Sequence, residues 1–448
     1  MSPENKNQRN PNINIHLNSF KLTRLLYIVS FVFSVIFLCY TIQAYRKDMS
    51  TSISALLFIS WFISSLLANP MVIIKLLNNK KYLFLFLFII YYFLGGLISG
   101  VGFLGSVKLI LAFLMIISPM IIADYYEISK QYKKLAIICL IVLGMFAFIS
   151  IKTIIVLETI PNAARALASG SLHNKDLGSL TDLGIGGGYD LAYALCLLVP
   201  FIAITMKKKL FNDILPNVLC FLWIVLAFLT IVKSDYGMAF LITIIALIIT
   251  LFFLSGSLKK DSLILGFLLV FSTILYFLSK ENIANLLMFI STYFENSFIG
   301  QRLTELASGI LGNSYGESAE YRFILYERSF NAFIQNPFIG VGFETQYDYY
   351  KGLQYLGGHS EWLDMLGTYG IFGSIPLITI FSLQFYETMR KYNVKSVQSV
   401  VLIIYLLFIV IGSINLIFKF GIMVVLFLVI PAFPYLIKLL NNKRDRLK

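Results

Sequence analysis

Charge is scarce in this chain. Of its 448 residues only 13% are Asp, Glu, Lys or Arg, against about a quarter in soluble domains, which excludes a soluble enzyme and a charge-rich disordered tail. Four cysteines, Cys39, Cys139, Cys196 and Cys220, lie inside apolar runs with no Cys-x-x-Cys spacing. That excludes a secreted disulfide scaffold, indicates no metal framework, and leaves the thiols as small core hydrophobes. A cleavable leader is missing too: the first apolar run follows about twenty polar residues and lacks a small-residue cleavage site, so it is expected to stay as a membrane anchor.

Apolar residues fill the space that charge leaves. The chain is 58% hydrophobic and 15% aromatic, with a mean hydropathy of +0.82, the composition of an integral membrane protein. A bilayer core takes about 20 apolar residues per helix, and that window yields about twelve candidates. They cover 22–43, 53–74, 82–98, 107–123, 135–156, 190–206, 217–232, 238–255, 262–279, 362–385, 397–413 and 418–439. Asn69-Pro70 interrupts the second and is expected to kink or end it.

A net charge of +13 would point a soluble chain toward nucleic acid, but its distribution gives it another meaning. With both termini inside, the cytoplasmic segments collect 23 of the 36 lysines and arginines against seven acids, leaving the inner face at +16 and the outer face at −3. This is the positive-inside bias that orients a polytopic protein. The fold expected is an all-α polytopic membrane protein with about twelve transmembrane helices and both termini cytoplasmic.

Two outward segments, about 157–189 and about 280–361, are too long to be turns, and loops above about 15 residues are usually functional. The chain therefore divides into 1–279 (nine transmembrane helices with the outer loop 157–189), 280–361 (a long outer loop), and 362–448 (three transmembrane helices and a cytoplasmic tail). The 3–4 residue apolar spacing from Tyr321 through Phe330, Phe333 and Ile334 predicts a helix inside the long loop.

There are three histidines. His16 lies in the polar amino-terminal stretch as a solvated bystander, and His173 in SGSLHNKD reads as an exposed loop residue. His359 stands in GGHSEWLDMLGTYGIFG, where the long loop meets the tenth span. It is either a general base, with Glu361 and Asp364 near enough to orient it or raise its pKa, or a polar residue at a helix start with Ser360 as cap. Upstream lie NPFIGVGFE, with Pro337, Gly340 and Gly342, and Arg322. An arginine at an outer membrane surface suits a diphosphate, since its planar fork grips phosphate oxygens in pairs and keeps its charge. Glu320 and Glu327 offer Arg322 and Arg328 a plainer role as ion-pair partners. Tyr347, Tyr349, Tyr350 and Tyr355 read as interfacial anchors more readily than as sugar-stacking platforms. No Lys-Ser/Thr follows Gly184, Gly186, Gly187 and Gly188, so a Walker loop is excluded.

Together Arg322, Tyr326, Pro337, Gly340, Gly342, His359, Leu363, Leu366, Gly370, Ile371 and Gly373 resemble the signature of the O-antigen polymerase and ligase superfamily of bacterial membrane glycosyltransferases. Ser360 replaces that family's usual asparagine, and Asp235 in TIVKSDYGMAF stands where it often has an arginine, so that Lys233 or another cation would have to substitute. The resemblance implies a GT-C-like fold and an inverting enzyme acting on the outer face of the bacterial plasma membrane. It implies His359 and Arg322 as catalytic residues, and Arg165, Arg328, Gly340, Gly342 and Glu361 as substrate contacts. It also implies transfer of glycan from an undecaprenyl diphosphate-linked repeat unit to a second lipid-linked unit.

No metal or nucleotide cofactor is expected, in keeping with a lone Asp48 in the first outer loop. The partners expected are the lipid-linked oligosaccharide, membrane lipids, a chain-length regulator and a flippase, with no nucleic acid. The alternatives are an O-antigen ligase, which transfers finished glycan to lipid A core, and a lipid-linked oligosaccharide flippase. Helix centres almost free of charge and one asymmetric long loop stand against the last.

Overall fold

The computed structural model describes residues 11–42, 51–98, 100, 102–160, 163–164, 184–185, 189–253, 260–261, 281, 283–294, 297–311, 317–342 and 356–441. All the regular structure among them is helical: α1 (Pro11–Thr41), α2 (Thr51–Ala68), α3 (Pro70–Leu77), α4 (Lys80–Ile98), α5 (Gly102–Ile128), α6 (Tyr132–Thr159), α7 (Tyr189–Lys207), α8 (Ile214–Lys233), α9 (Gly237–Ile248), α10 (Ile283–Thr292), α11 (Phe298–Ile310), α12 (Glu317–Gln335), α13 (Glu361–Arg390), α14 (Lys395–Ile414) and α15 (Phe420–Asn441). Hydrocarbon offers backbone groups no partner, so chains this apolar satisfy their N–H and C=O groups within helices.

Nine of the described helices are long and apolar enough to cross a membrane, and the α2–α3 pair makes a tenth if counted as one bent span. Its bend of 109° falls at Asn69-Pro70. Asn69 caps α3, accepting the Val72 N–H at 3.3 Å, while Pro70 occupies the first turn, where its missing N–H costs nothing. The candidate span 238–255 is the shorter apolar helix Gly237–Phe252, and 262–279 lies outside the described residues. His16 falls within α1 rather than in a polar tail.

The bundle has a centre and a rim. Of the most apolar stretch of α7, 89% is buried, and of α15, 78%, against 17% in α8, so α7 and α15 form the axis. They start side by side, because Asp190 accepts the N–H groups of Gly421 (3.2 Å) and Ile422 (3.1 Å). A Cβ on Gly421 would stand 2.7 Å from Asp190 Oδ1, so a side chain there would push the carboxylate aside.

The lysine-rich helix ends meet on one face. Lys81 pairs with Asp124 (2.6 Å) and Glu387 (2.5 Å), Lys391 with Glu127, and Asn441 reaches the Leu210 carbonyl (3.0 Å). The opposite face carries α11, α12 and the start of α13, and there the chain leaves the helix-spanning pattern.

Candidate functional site

The apolar spacing from Tyr321 to Ile334 is realised as α12. Leu325, Ser329 and Ala332 are buried along one side of it, and that side packs on the first turns of α13, where Gly367 admits the Leu356 side chain to within 2.7 Å of its Cβ position. Arg322, Tyr326 and Ser329 follow at i, i+4 and i+7, which sets them one above another beside this contact. The other side is apolar and exposed: Phe323 is 60% exposed and Phe338, just beyond the helix, 59%, with Ile324, Phe330 and Ile334 also exposed. Phe338 meets Phe372 of α13, itself exposed, with ring centroids 5.7 Å apart. The apolar face of α12 is therefore continuous with the lipid-facing surface of a spanning helix.

The Pro-x-x-Gly-x-Gly turn closes onto a break in α13. At Gly370 the backbone leaves the helix (φ 56°, ψ −165°), freeing groups on both sides of it. The turn takes them up: Val341 and Gly342 N–H donate to Gly367 O (2.8 Å) and Thr368 O (3.0 Å), while Ile371 and Phe372 N–H donate to Pro337 O (2.8 Å) and Phe338 O (3.1 Å). Gly340 has φ +75°, and a Cβ there would collide with the Thr368 carbonyl; one on Gly370 would stand 2.5 Å from Phe338. The Tyr91 hydroxyl joins the two segments by donating to Ile339 O and to Tyr369 O (2.8 Å). Gly340, Gly342 and Gly370 thus have a backbone reason to be glycine, independent of any ligand.

His359 is held by its neighbours on the chain. The Ser329 hydroxyl donates to Asp364 Oδ1 (2.5 Å) and accepts the Gly357 N–H (2.8 Å); Asp364 Oδ1 also accepts the Gly358 N–H (3.3 Å), and Ser360 caps α13 through the Leu363 N–H (3.4 Å). Asp364 therefore fixes the turn that carries the imidazole. Glu361 points elsewhere: its Oε2 accepts the N–H groups of Ile417 (2.8 Å) and Phe418 (3.0 Å) ahead of α15.

Neither carboxylate raises the His359 pKa as the sequence led one to expect. Burial and then the Arg322 charge push it below 6.5, its ordinary value, so the ring is neutral at neutral pH and keeps a lone pair for a proton. Arg322 is half-buried, hydrogen-bonds with Tyr326, and lies within electrostatic reach of His359 and Tyr193. Burial raises the Tyr326 hydroxyl above its ordinary range, partly offset by Arg322. Among the described residues the ion pairs are those of Lys81, Lys391 and Arg302; Glu327 pairs with neither Arg322 nor Arg328 there, and the Glu320 side chain lies outside the described residues. Arg328 is exposed on α12.

The other expected contacts divide. Arg165, His173 and the tyrosines at 347, 349, 350 and 355 lie outside the described residues. Asp235, with φ 58°, accepts the Ile299 N–H at 2.8 Å and so caps α11; its aspartate is accounted for by that turn. Arg302 of the same helix packs with its Cβ 3.4 Å from the Cβ position of Gly237 and pairs with Glu305 at 2.5 Å, which puts a cation beside the expected place. Ser329 and Tyr91 were missed. Only the i+7 step from Arg322 to Ser329 left a trace in the sequence; Tyr91 is 278 positions from the carbonyl it holds.

The part of the chain that builds this site also has a family likeness. A family model described as O-antigen ligase matches residues 218–378, from the first turn of α8 to the middle of α13, and so contains Arg322, the glycine turn, His359 and the break at Gly370. Comparison with curated proteins finds no match. The matched segment, with its arginine, glycine turn and histidine, is similar to the O-antigen ligase family, consistent with the O-antigen polymerase and ligase superfamily.

Proposed function

We propose that the protein is a polysaccharide polymerase, transferring glycan from an undecaprenyl diphosphate-linked repeat unit to a sugar hydroxyl of another lipid-linked unit at the outer face of the plasma membrane. The observation that supports this reading is a neutral His359 within the field of the half-buried Arg322, at the end of α13 opposite the lysine-rich face. The positive-inside bias makes that end the outer one.

The diphosphate is already a good leaving group, so positioning and charge stabilisation do most of the work. Arg322, steadied by Tyr326, holds the diphosphate as the bond from the anomeric carbon to its oxygen breaks and the electron pair moves onto phosphate. The acceptor hydroxyl attacks from the opposite side, its oxygen bonds the anomeric carbon with inversion, and its proton passes to His359. No metal takes part in these steps. Arg328, Arg165, Gly340, Gly342 and Glu361 are the further contacts proposed, the glycines through their backbone and Glu361 through the turn before α15.

Extension of purified lipid-linked repeat units by purified protein in vesicles tests the proposal; a wild-type protein that elongates nothing would overturn it. The description of the matched family favours a second reading, ligation of finished glycan to lipid A core. In a deletion strain, single-repeat material indicates a polymerase and accumulated long lipid-linked polymer a ligase.

A further inference from the structure

Arg322 and His359 come from different segments: Arg322 from the second turn of α12, His359 from the turn that leads into α13. What joins those segments therefore sets how the two groups face each other. Glycines let the backbones touch, since a Cβ at Gly357 would overlap the Leu325 carbonyl and one at Gly367 would stand 3.1 Å from Ser329 O. Such contacts limit approach but fix no direction. Beyond the far end of α12, the glycine turn supplies direction through its hydrogen bonds to both sides of the break in α13. Nearer to Arg322, the directional link is made by Ser329.

Ser329 is 1% exposed and uses its hydroxyl twice. It donates to Asp364 Oδ1 (2.5 Å) and accepts the Gly357 N–H (2.8 Å), while Asp364 Oδ1 also accepts the Gly358 N–H (3.3 Å). These partners bracket His359 along the chain. Ser329 follows Arg322 by two helical turns on the same side of α12, about 10 Å along its axis, so one hydroxyl ties the turn of the histidine to the helix of the arginine. Asp364 is buried too, and its Oδ2 meets no donor among the described residues. The hydrogen bonds that tie it to the turn run through Oδ1.

We propose that Ser329 and Asp364 are positioning residues for glycan transfer, their hydrogen bond setting the place of His359 relative to Arg322. The inference rests on those two groups acting in the reaction, where a misplacement of about 1 Å can lower the rate about 10²-fold. Neither Ser329 nor Asp364 touches substrate or carries its proton. The role needs an acceptor at Oδ1 rather than a charge, and asparagine keeps that acceptor.

The test is steady-state transfer from a purified lipid-linked repeat unit in vesicles by Ser329→Ala, Asp364→Ala and Asp364→Asn. The two alanine variants should each lower kcat by about 10²-fold, with the donor KM within about twofold of wild type. Asp364→Asn should recover kcat to within about threefold of wild type. Wild-type kcat in Ser329→Ala overturns the proposal. Equal losses in Asp364→Asn and Asp364→Ala also overturn it, by making the carboxylate a proton carrier, and so does a kcat loss that tracks detergent melting across the three variants, by reducing the pair to a packing contact.

A second measurement does not depend on turnover. Arg322→Gln should move the His359 titration upward in NMR, and adding Ser329→Ala to both members of that comparison should shrink the movement, because the charge and the ring are no longer held at one distance. An undiminished movement overturns the joint. A diminished movement, found together with a wild-type protein that transfers no glycan, would keep the joint and remove the polymerase reading instead.

Discussion

Two clusters of charge stand at opposite ends of α13, and they are built on opposite rules. At the lysine-rich end Lys81 is wholly buried, yet its ammonium meets Asp124, Glu387 and Gln384 at 2.5–2.6 Å, and Tyr82 donates to Asp124 at 2.7 Å. Every strong charge there is answered, which is what an ion within an apolar bundle requires. At the other end Arg322 is only half-buried and has a tyrosine for company. The first cluster ties α4, α5 and α13 together. The second, closer to water, sets a cation beside His359, the arrangement that the proposed anionic substrate would use.

Substitution at each end should separate these roles. The largest effect is expected at the site: Arg322→Ala and His359→Ala should each lower glycan transfer by about 10²–10⁴-fold, the range for a lost general base or charge stabiliser. Their membrane yield and melting should stay as in wild type. Wild-type ladders of polymer from His359→Ala would remove the histidine from the mechanism.

At the other end the signs reverse. Lys81→Met strands two carboxylates and should destabilise the fold by about 3–5 kcal/mol, seen as lost folded protein in detergent melting. Adding Asp124→Asn and Glu387→Gln should recover much of it. Unchanged melting of the single variant would mean that the lysine-rich cluster is solvated after all.

A smaller effect is expected where the turn meets the break. Gly340→Ala puts a methyl group against the Thr368 carbonyl at a backbone angle suited to glycine, at a cost of about 1–3 kcal/mol. Its transfer activity should fall more than that of Gly144→Ala, which meets nothing within 4 Å. Equal loss in both would argue that the turn does not position the site.

The most delicate test concerns proton affinity. His359 must be neutral to accept a proton, so kcat/KM should rise through a pKa below 6.5 and then level off. In Arg322→Gln the lowering influence of the positive charge is gone, and the His359 titration followed by NMR should move upward, burial still holding it down. A downward move would show that the two residues do not share a field.

Much of the fold was readable because hydrophobic runs are local. The long apolar stretches, the break at Asn69-Pro70 and the helix from Tyr321 onward follow from composition, proline chemistry and 3–4 residue spacing, none of which needs a distant partner. The site was readable only in part. Arg322, the glycine turn and His359 stand within forty positions of one another, so their pattern survives in one sequence. The roles of their neighbours do not: Glu361 and Asp364 looked like partners for the imidazole by proximity along the chain, but one faces the backbone ahead of α15 and the other faces Ser329.

What the sequence determined by itself is a membrane-embedded helical chain with its cations gathered on one side, since burial in hydrocarbon and the cost of moving charge across it act residue by residue. Only the tertiary structure decided that Gly340 and Gly370 face each other, that Tyr91 holds both, and that Asp235 caps a helix rather than awaiting a ligand. Each depends on two segments whose separation along the chain carries no signal, because hydrogen-bond geometry and close packing are properties of pairs in space.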